Sequence, residues 1–148
     1  MIGWRRLSLI VVVFACVRPS SPSKAPISDV PGFILGEFVD DYGGRHSITS
    51  ADWLQRPRNR FHIVRWAPQQ RYLIAQNDSG NPDGGGRWTR IDWVLIDTAP
   101  YTWAFCFSAY DARSFAAAES VSIARPETPR TGCNRYPYTR MRAAAQSP

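Results

Sequence analysis

The chain has 148 residues, 44% of them hydrophobic and 13% aromatic, and a formal net charge of +6. So many large rings exclude a disordered middle, and the roughly 130 residues left once an export leader is set aside make one domain and not two. The basic residues are spread along the chain and not gathered in a run, which argues against nucleic acid as a partner. All but Lys24 are arginines, a bias that a GC-rich genome also produces and that favours carboxylate pairing and ring stacking.

In chain order, the first element is the leader, residues 1–15. Arg5 and Arg6 give a basic start, and Leu7 to Ala15 is apolar apart from Ser8. That order marks an export signal, and the apolar run is well short of the roughly 20 residues a membrane-crossing helix needs. The cysteine that follows, Cys16 after Val13-Phe14-Ala15, resembles the lipobox of bacterial lipoproteins. Phe14 is bulkier than that pattern usually has. The resemblance implies that the Cys16 thiol takes a diacylglycerol and becomes the first mature residue. The protein is then lipid-anchored in the cell envelope, facing the periplasm or the exterior; plain secretion is the alternative. Loss of Arg5 and Arg6 with the leader lowers the formal charge from +6 to about +4.

Residues 16–31 are rich in Pro and Ser and read as a flexible tether. From 32 to 142 the texture is that of a β domain, short Val, Ile, Phe, Tyr and Trp runs between turn residues. Strands are predicted at 34–42, 45–50, 60–67, 71–77, 87–96 and 101–110. Gly43-Gly44, Pro68-Gln69-Gln70 and Asp97 to Pro100 supply hairpin turns. Residues 79–86 (SGNPDGGG) read as a longer, mobile loop. Alternation puts Trp103, Phe105 and Phe107 on the core face of the last strand, with Thr102, Cys106 and Ser108 facing out. A helix is expected at about 111–124, capped by Asp111 or Ser114 and stopped before Pro126 and Pro129. A brief strand at 135–138 and a frayed tail at 143–148 complete the reading.

With Cys16 carrying lipid, Cys106 and Cys133 remain, and an oxidising compartment joins them. Closing a loop of about 27 residues contributes roughly 3–4 kcal/mol on the chain-entropy model. No CxxC or HxxxH spacing points to zinc, so no metal and no cofactor are expected.

These elements make an all-β fold: an antiparallel meander closing into a small barrel, with one C-terminal helix and a disulfide-pinned tail. The arrangement resembles the calycin-type barrels. In the lipocalins a Gly-x-Trp near the first strand closes one end, and a helix follows the last strand; Gly36-Glu37-Phe38 stands at the comparable place here, with Phe for Trp. An open sheet or small sandwich curled around the same aromatic face is the alternative.

Four constellations bear on function. Asp40, Asp41, His46 and His62 could hold a metal or do acid–base work, but turn and rim residues with local ion pairing account for them as well. Ser47, Ser50, Ser108 and Ser114 lack a GxSxG elbow, so no catalytic residue is assigned. Trp88, Arg90 and Asp92 share a strand face, as a polar pocket or an outer ladder. Trp53, Trp66, Trp93 and Trp103 either fill the core or line a ligand cavity, with Arg90 or His62 as its polar contact.

The expected function is therefore a non-catalytic envelope binding module for a hydrophobic ligand or a cell-envelope component. The alternative is an interaction or inhibitor role through the 79–86 loop and Asp83, resembling the small disulfide-bearing barrel lipoproteins that inhibit lysozymes or proteases. A small hydrolase is the third possibility. An interior cavity favours the first, a filled barrel with an ordered loop the second, and a cluster of His46, His62 and a carboxylate the third.

Overall fold

A computed structural model describes residues 30–145. It contains strands β1 (Gly36–Asp40), β2 (Arg45–Ile48), β3 (Asp52–Gln55), β4 (Asn59–Ala67), β5 (Tyr72–Asn77), β6 (Trp88–Thr98), β7 (Tyr101–Ala112) and β8 (Thr139–Ala143), with helix α1 (Phe115–Glu119) between the last two strands. Each strand pairs antiparallel with the next, and β8 pairs with β1, so the sheet closes into an eight-stranded barrel. Cys106 and Cys133 form a disulfide.

The two-residue alternation decides what fills the barrel. Phe38, Ile48, Trp53, Phe61, Ile63, Leu73, Ala75, Ile91, Trp93, Trp103, Phe105 and Met141 are all buried in one cluster. The rings meet mostly edge to face, for example Trp53 on Phe105 at 5.0 Å and Phe38 on Trp103 at 5.2 Å between centroids. That geometry sets ring edges against the electron-rich faces of their neighbours. Phe107 packs against the cluster from the rim as a partly buried ring. Thr102, on the opposite face of β7, is exposed.

A second layer lies outside the barrel wall. Helix α1 covers the outer faces of β5 and β6: Ala118 packs with Tyr72 and Ile74, and Phe115 meets Trp88 edge-on at 5.6 Å. Beyond the helix, residues 120–138 form a strap over the outer faces of β6 and β7. There Val94, Ala104, Cys106 and Tyr138 form a buried cluster of their own, with Cys133 and Ala124 at its margin. Cys106 does point outward from the barrel, yet it is only 1% exposed because the strap lies over it.

Four segments of secondary structure depart from the sequence reading. Asp52–Gln55 is a strand that was not expected. The helix is confined to Phe115–Glu119: its start is delayed because β7 continues to Ala112, which pairs with Trp88, and Ser114 is its cap, accepting from the Ala117 amide at 3.1 Å. Residues 135–138 are not a strand: Asn134 and Arg135 have positive φ, so Cys133 to Tyr136 turns back on itself, and the last strand begins at Thr139. Ala143 and Ala144 are tied to β1 and not frayed, with the Ala144 amide donating to the Glu37 carbonyl at 2.9 Å. Leu95 is 63% exposed where β6 runs past the barrel mouth.

Strand directions assign the connections to two ends. The described chain begins at Val30 at the same end as the 49–51, 68–71 and 99–100 turns, and β8 finishes there too. The 41–44 and 56–58 turns and the 78–87 loop are at the other end.

Candidate functional site

Buried side chains occupy the barrel interior. Trp53 and Trp103 are 1% and 0% exposed, and Trp66 and Trp93 are also buried. The Trp66 indole donates to the Ser50 carbonyl at 2.9 Å, while Trp103 Nε1 has no hydrogen-bond partner among the described residues. All four expected tryptophans thus belong to one packed core. The two polar residues grouped with them do not: Arg90 and His62 are on the outer face of the wall, where Arg90 shares the lining of a surface cleft with Trp93.

His46 lies inside that core, fully buried. Trp53 Nε1 donates to His46 Nδ1 at 3.0 Å, which assigns the imidazole proton to Nε2, and Nε2 meets Asp40 Oδ2 at 2.9 Å. An indole nitrogen can only donate, so the neutral Nε2–H tautomer satisfies all three groups. Asp40 Oδ1 in turn accepts from the Tyr42 and Gly44 amides at 2.9 and 2.7 Å. Burial pushes the His46 pKa down, against the opposing pull of Asp40. The chain of bonds ties the β1–β2 turn to the core.

His62 is on the outer face of β4, its side chain 44% exposed. Its Nδ1 meets Asp52 Oδ1 and its Nε2 meets Asp78 Oδ2, both at 2.8 Å. The hydrogen bond to Asp78, aided by Asp52, pushes its pKa up. The two histidines face opposite sides of the sheet and share no carboxylate, so the expected four-residue constellation does not assemble. Asp41 pairs with Arg140, Nε to Oδ2 at 2.8 Å, not with a residue of its own turn. Among the described residues no group of three or more His, Cys, Asp or Glu side chains is placed to hold a metal ion.

The 78–87 loop, expected as a mobile segment, is tied to the barrel by side-chain hydrogen bonds. Buried Asn81 reaches across to the end of β4, its Oδ1 accepting from the Arg60 amide at 2.8 Å and its Nδ2 donating to the Arg60 carbonyl at 2.9 Å. Asn77 Nδ2 donates to the Gly84 and Tyr110 carbonyls at 2.9 and 2.8 Å. Gly84 has a φ of +64°, and a side chain there would also crowd Asn77 and Tyr110. Ser79, Pro82, Asp83 and Arg87 project from this frame. At the same end Tyr42 is 78% exposed, and Arg45, Arg56, Arg58 and Arg60 are exposed with Arg87. Among the described residues none of these five arginines has a carboxylate within ion-pair distance.

The outer ladder expected at Trp88, Arg90 and Asp92 is present beneath the helix and strap. Arg90 grips Asp92 with two parallel bonds of 2.9 and 2.8 Å, donates to the Glu119 carbonyl at 2.7 Å, and lies 3.9 Å above the Tyr72 ring. Ser108 Oγ donates to Asp92. Beside this ladder is a cleft of about 250 Å³ whose walls include Arg71, Arg90, Asp92, Trp93, Arg125 and Tyr138. Burial, with Asp92 and Glu127 nearby, pushes the Tyr138 hydroxyl up to about 12. A second crevice, about 350 Å³, opens at the adjoining barrel mouth between Pro31, Phe33, Pro68, Arg71, Trp93 and Leu95. Sequence reasoning missed both, because each is formed where the strap or the entering chain meets the barrel.

Cys16 and the tether up to residue 29 lie outside the described residues. No family model, curated protein or solved structure matches the chain.

Proposed function

We propose that this chain is an exported envelope lipoprotein, anchored through Cys16, whose barrel is a non-catalytic module that recognises a protein partner. The observation that carries the reading is the contrast between a filled interior and an ordered loop. Barrels of eight strands, the lipocalins among them, can hold one small ligand inside; here tryptophan and phenylalanine rings occupy that space. The lipocalin likeness then ends at architecture, and recognition falls to the surface.

The rim carrying the 78–87 loop is the part of the surface best suited to it. It is pre-organised by Asn77 and Asn81, so little ordering entropy is lost on binding. Exposed Tyr42 and the unpaired arginines are the residue types that dominate interface energies. Their charge selects an acidic partner face and speeds encounter. The rim is also at the end opposite Val30, where the described chain begins, so an anchored barrel would present it away from the membrane.

The test uses photo-crosslinking residues placed singly at Tyr42, Pro82 and Thr98 in cells expressing the full chain. Tyr42 and Pro82 should capture the same protein, with Thr98, at the far end, capturing none. Asn81→Ala should reduce that capture while leaving the barrel folded. The same adduct from Thr98, or none from the rim, overturns the reading. Mass spectrometry of the mature N-terminus tests the anchor separately: an unmodified terminus downstream of Cys16 would sink it.

A further inference from the structure

We propose that the cleft under the strap and the crevice at the adjoining barrel mouth together form a binding site for a single-chain amphiphile with an anionic head group. The two spaces share a wall, since Arg71 and Trp93 line both. Their linings differ in chemistry. The mouth is apolar, with Phe33 41% and Leu95 63% exposed beside Pro31 and Pro68. The cleft is cationic. Arg90 and Asp92 neutralise each other in their bidentate pair, but Arg71 and Arg125 have no carboxylate within ion-pair distance among the described residues. Besides Asp92, already paired with Arg90, Glu127 is a second, weaker opposing charge felt at the Tyr138 hydroxyl. One net positive charge is therefore left for a ligand.

An independent observation points to an acceptor at this place. Tyr138, 2% exposed, is in the wall of the cleft, and its hydroxyl has no hydrogen-bond partner among the described residues. Buried phenol hydroxyls are ordinarily paired, because desolvating one without a partner is unfavourable. A small outward turn of the Tyr138 ring, whose hydroxyl is closed off from solvent, would let a head-group oxygen held by Arg71 and Arg125 supply the missing acceptor, with the alkyl chain running past Trp93 to Phe33 and Leu95. The mouth's volume falls in the range of about 300–1,000 Å³ that takes small ligands, and the cleft just below it. The site is at the end where the described chain begins, remote from the loop rim, and does not depend on a partner binding there.

Carboxylate and phosphate heads share this chemistry, as does free phosphate, and titration calorimetry separates them. The probes are hexyl, octyl and decyl phosphate, decanoate, decyltrimethylammonium and inorganic phosphate, each below its micelle concentration. The full chain carries Cys16→Ser so that no acyl anchor competes. Decyl phosphate or decanoate should bind one to one, with affinity rising by up to about fourfold per methylene. Arg71→Asn with Arg125→Gln should weaken the anionic amphiphiles about tenfold or more; Asn suits the left-handed backbone at Arg71, where φ is +58°. Leu95→Asn, at an exposed position, should flatten the chain-length dependence and leave the preference for anions intact. An unchanged urea midpoint keeps each variant interpretable, and for a variant that fails it the chain-length and head-group series on the parent chain decide alone. Inorganic phosphate binding as tightly as decyl phosphate, decyltrimethylammonium binding equally well, or no binding by any amphiphile overturns the proposal.

Discussion

Replacing His46 with leucine should be among the most damaging single changes in the barrel, although the new residue is apolar and of similar bulk. Two buried partners lose their bonds. The Trp53 indole N–H is left without its 3.0 Å acceptor, and Asp40 Oδ2 without its 2.9 Å donor. An orphaned buried donor costs about 1–3 kcal/mol, and a charged acceptor stands at the upper end of that range or above it. Asp40 keeps its two backbone donors, which limits its share. The sum is about 3–5 kcal/mol, a large part of the roughly 5–15 kcal/mol that holds a domain together. Urea unfolding with the disulfide intact measures it. The decisive comparison is a cycle with Trp53→Phe, which deletes the indole donor. The double variant should be less destabilised than the two singles added together, by about 1–3 kcal/mol. Coupling within about 0.5 kcal/mol of zero would refute the bonded chain as the source of the cost. Protonation offers a second reading of the same chain. Burial holds the His46 pKa below its ordinary 6.5, so the unfolded state takes a proton that the folded state refuses. Stability should fall as pH drops through that ordinary value and level off below the folded pKa. His46→Leu should lose this slope.

His62 should behave in the opposite sense: its raised pKa gives stability that is fully present below 6.5 and lost as pH rises through the folded value, so His62→Gln should flatten the alkaline side of a melting-temperature profile. Phe105→Ala should cost roughly 3–5 kcal/mol in urea unfolding, while Thr102→Ala on the exposed face of the same strand should cost under about 0.5 kcal/mol; equal costs would mean that the strand's facing is misassigned. Cys133→Ser should cost about 3–4 kcal/mol, and hydrogen exchange should show the strap loosening before β6 and β7; a strap that stays protected without the disulfide would contradict its role as the fastener.

Much of the barrel is legible in the sequence because periodicity and turn chemistry act locally. The strands around Ile63, Ala75, Ile91 and Phe105 declare themselves by alternation, and Gly43-Gly44 marks the first hairpin. β3 escapes because Asp52-Trp53-Leu54-Gln55 is too short for its pattern to show, and only its pairing with β2 and β4 makes it a strand. Loop order is hidden for another reason. Asn77 and Asn81 fix the 78–87 segment through carbonyls and amides of Arg60 and Tyr110, 21 and 33 positions away. His46 had a signal that polarity obscured: the alternation that turns Phe38 and Ile48 inward turns Asp40 and His46 inward as well. The surface clefts had none, since the strap that forms one of them is placed by the Cys106–Cys133 link and not by any local pattern.

The closure of β8 on β1 has a consequence for the order in which the molecule assembles. Six of the eight pairings join strands linked by short turns or a single loop, and can zip as hairpins with little loss of loop entropy. The β7–β8 pairing must wait for the strap to cross the wall. The seam must wait for everything, because the bonds between Arg140 and Asp41 join residues 99 positions apart. Contacts so distant along the chain slow folding and form late. Their register is brief: Phe38, Val39 and Asp40 opposite Ala143, Arg142 and Met141. Under native conditions that short staircase should be the first part of the wall to exchange its amide hydrogens. Parted there, the barrel becomes a curled sheet with two bare edges, the form in which one copy is most exposed to pairing with another.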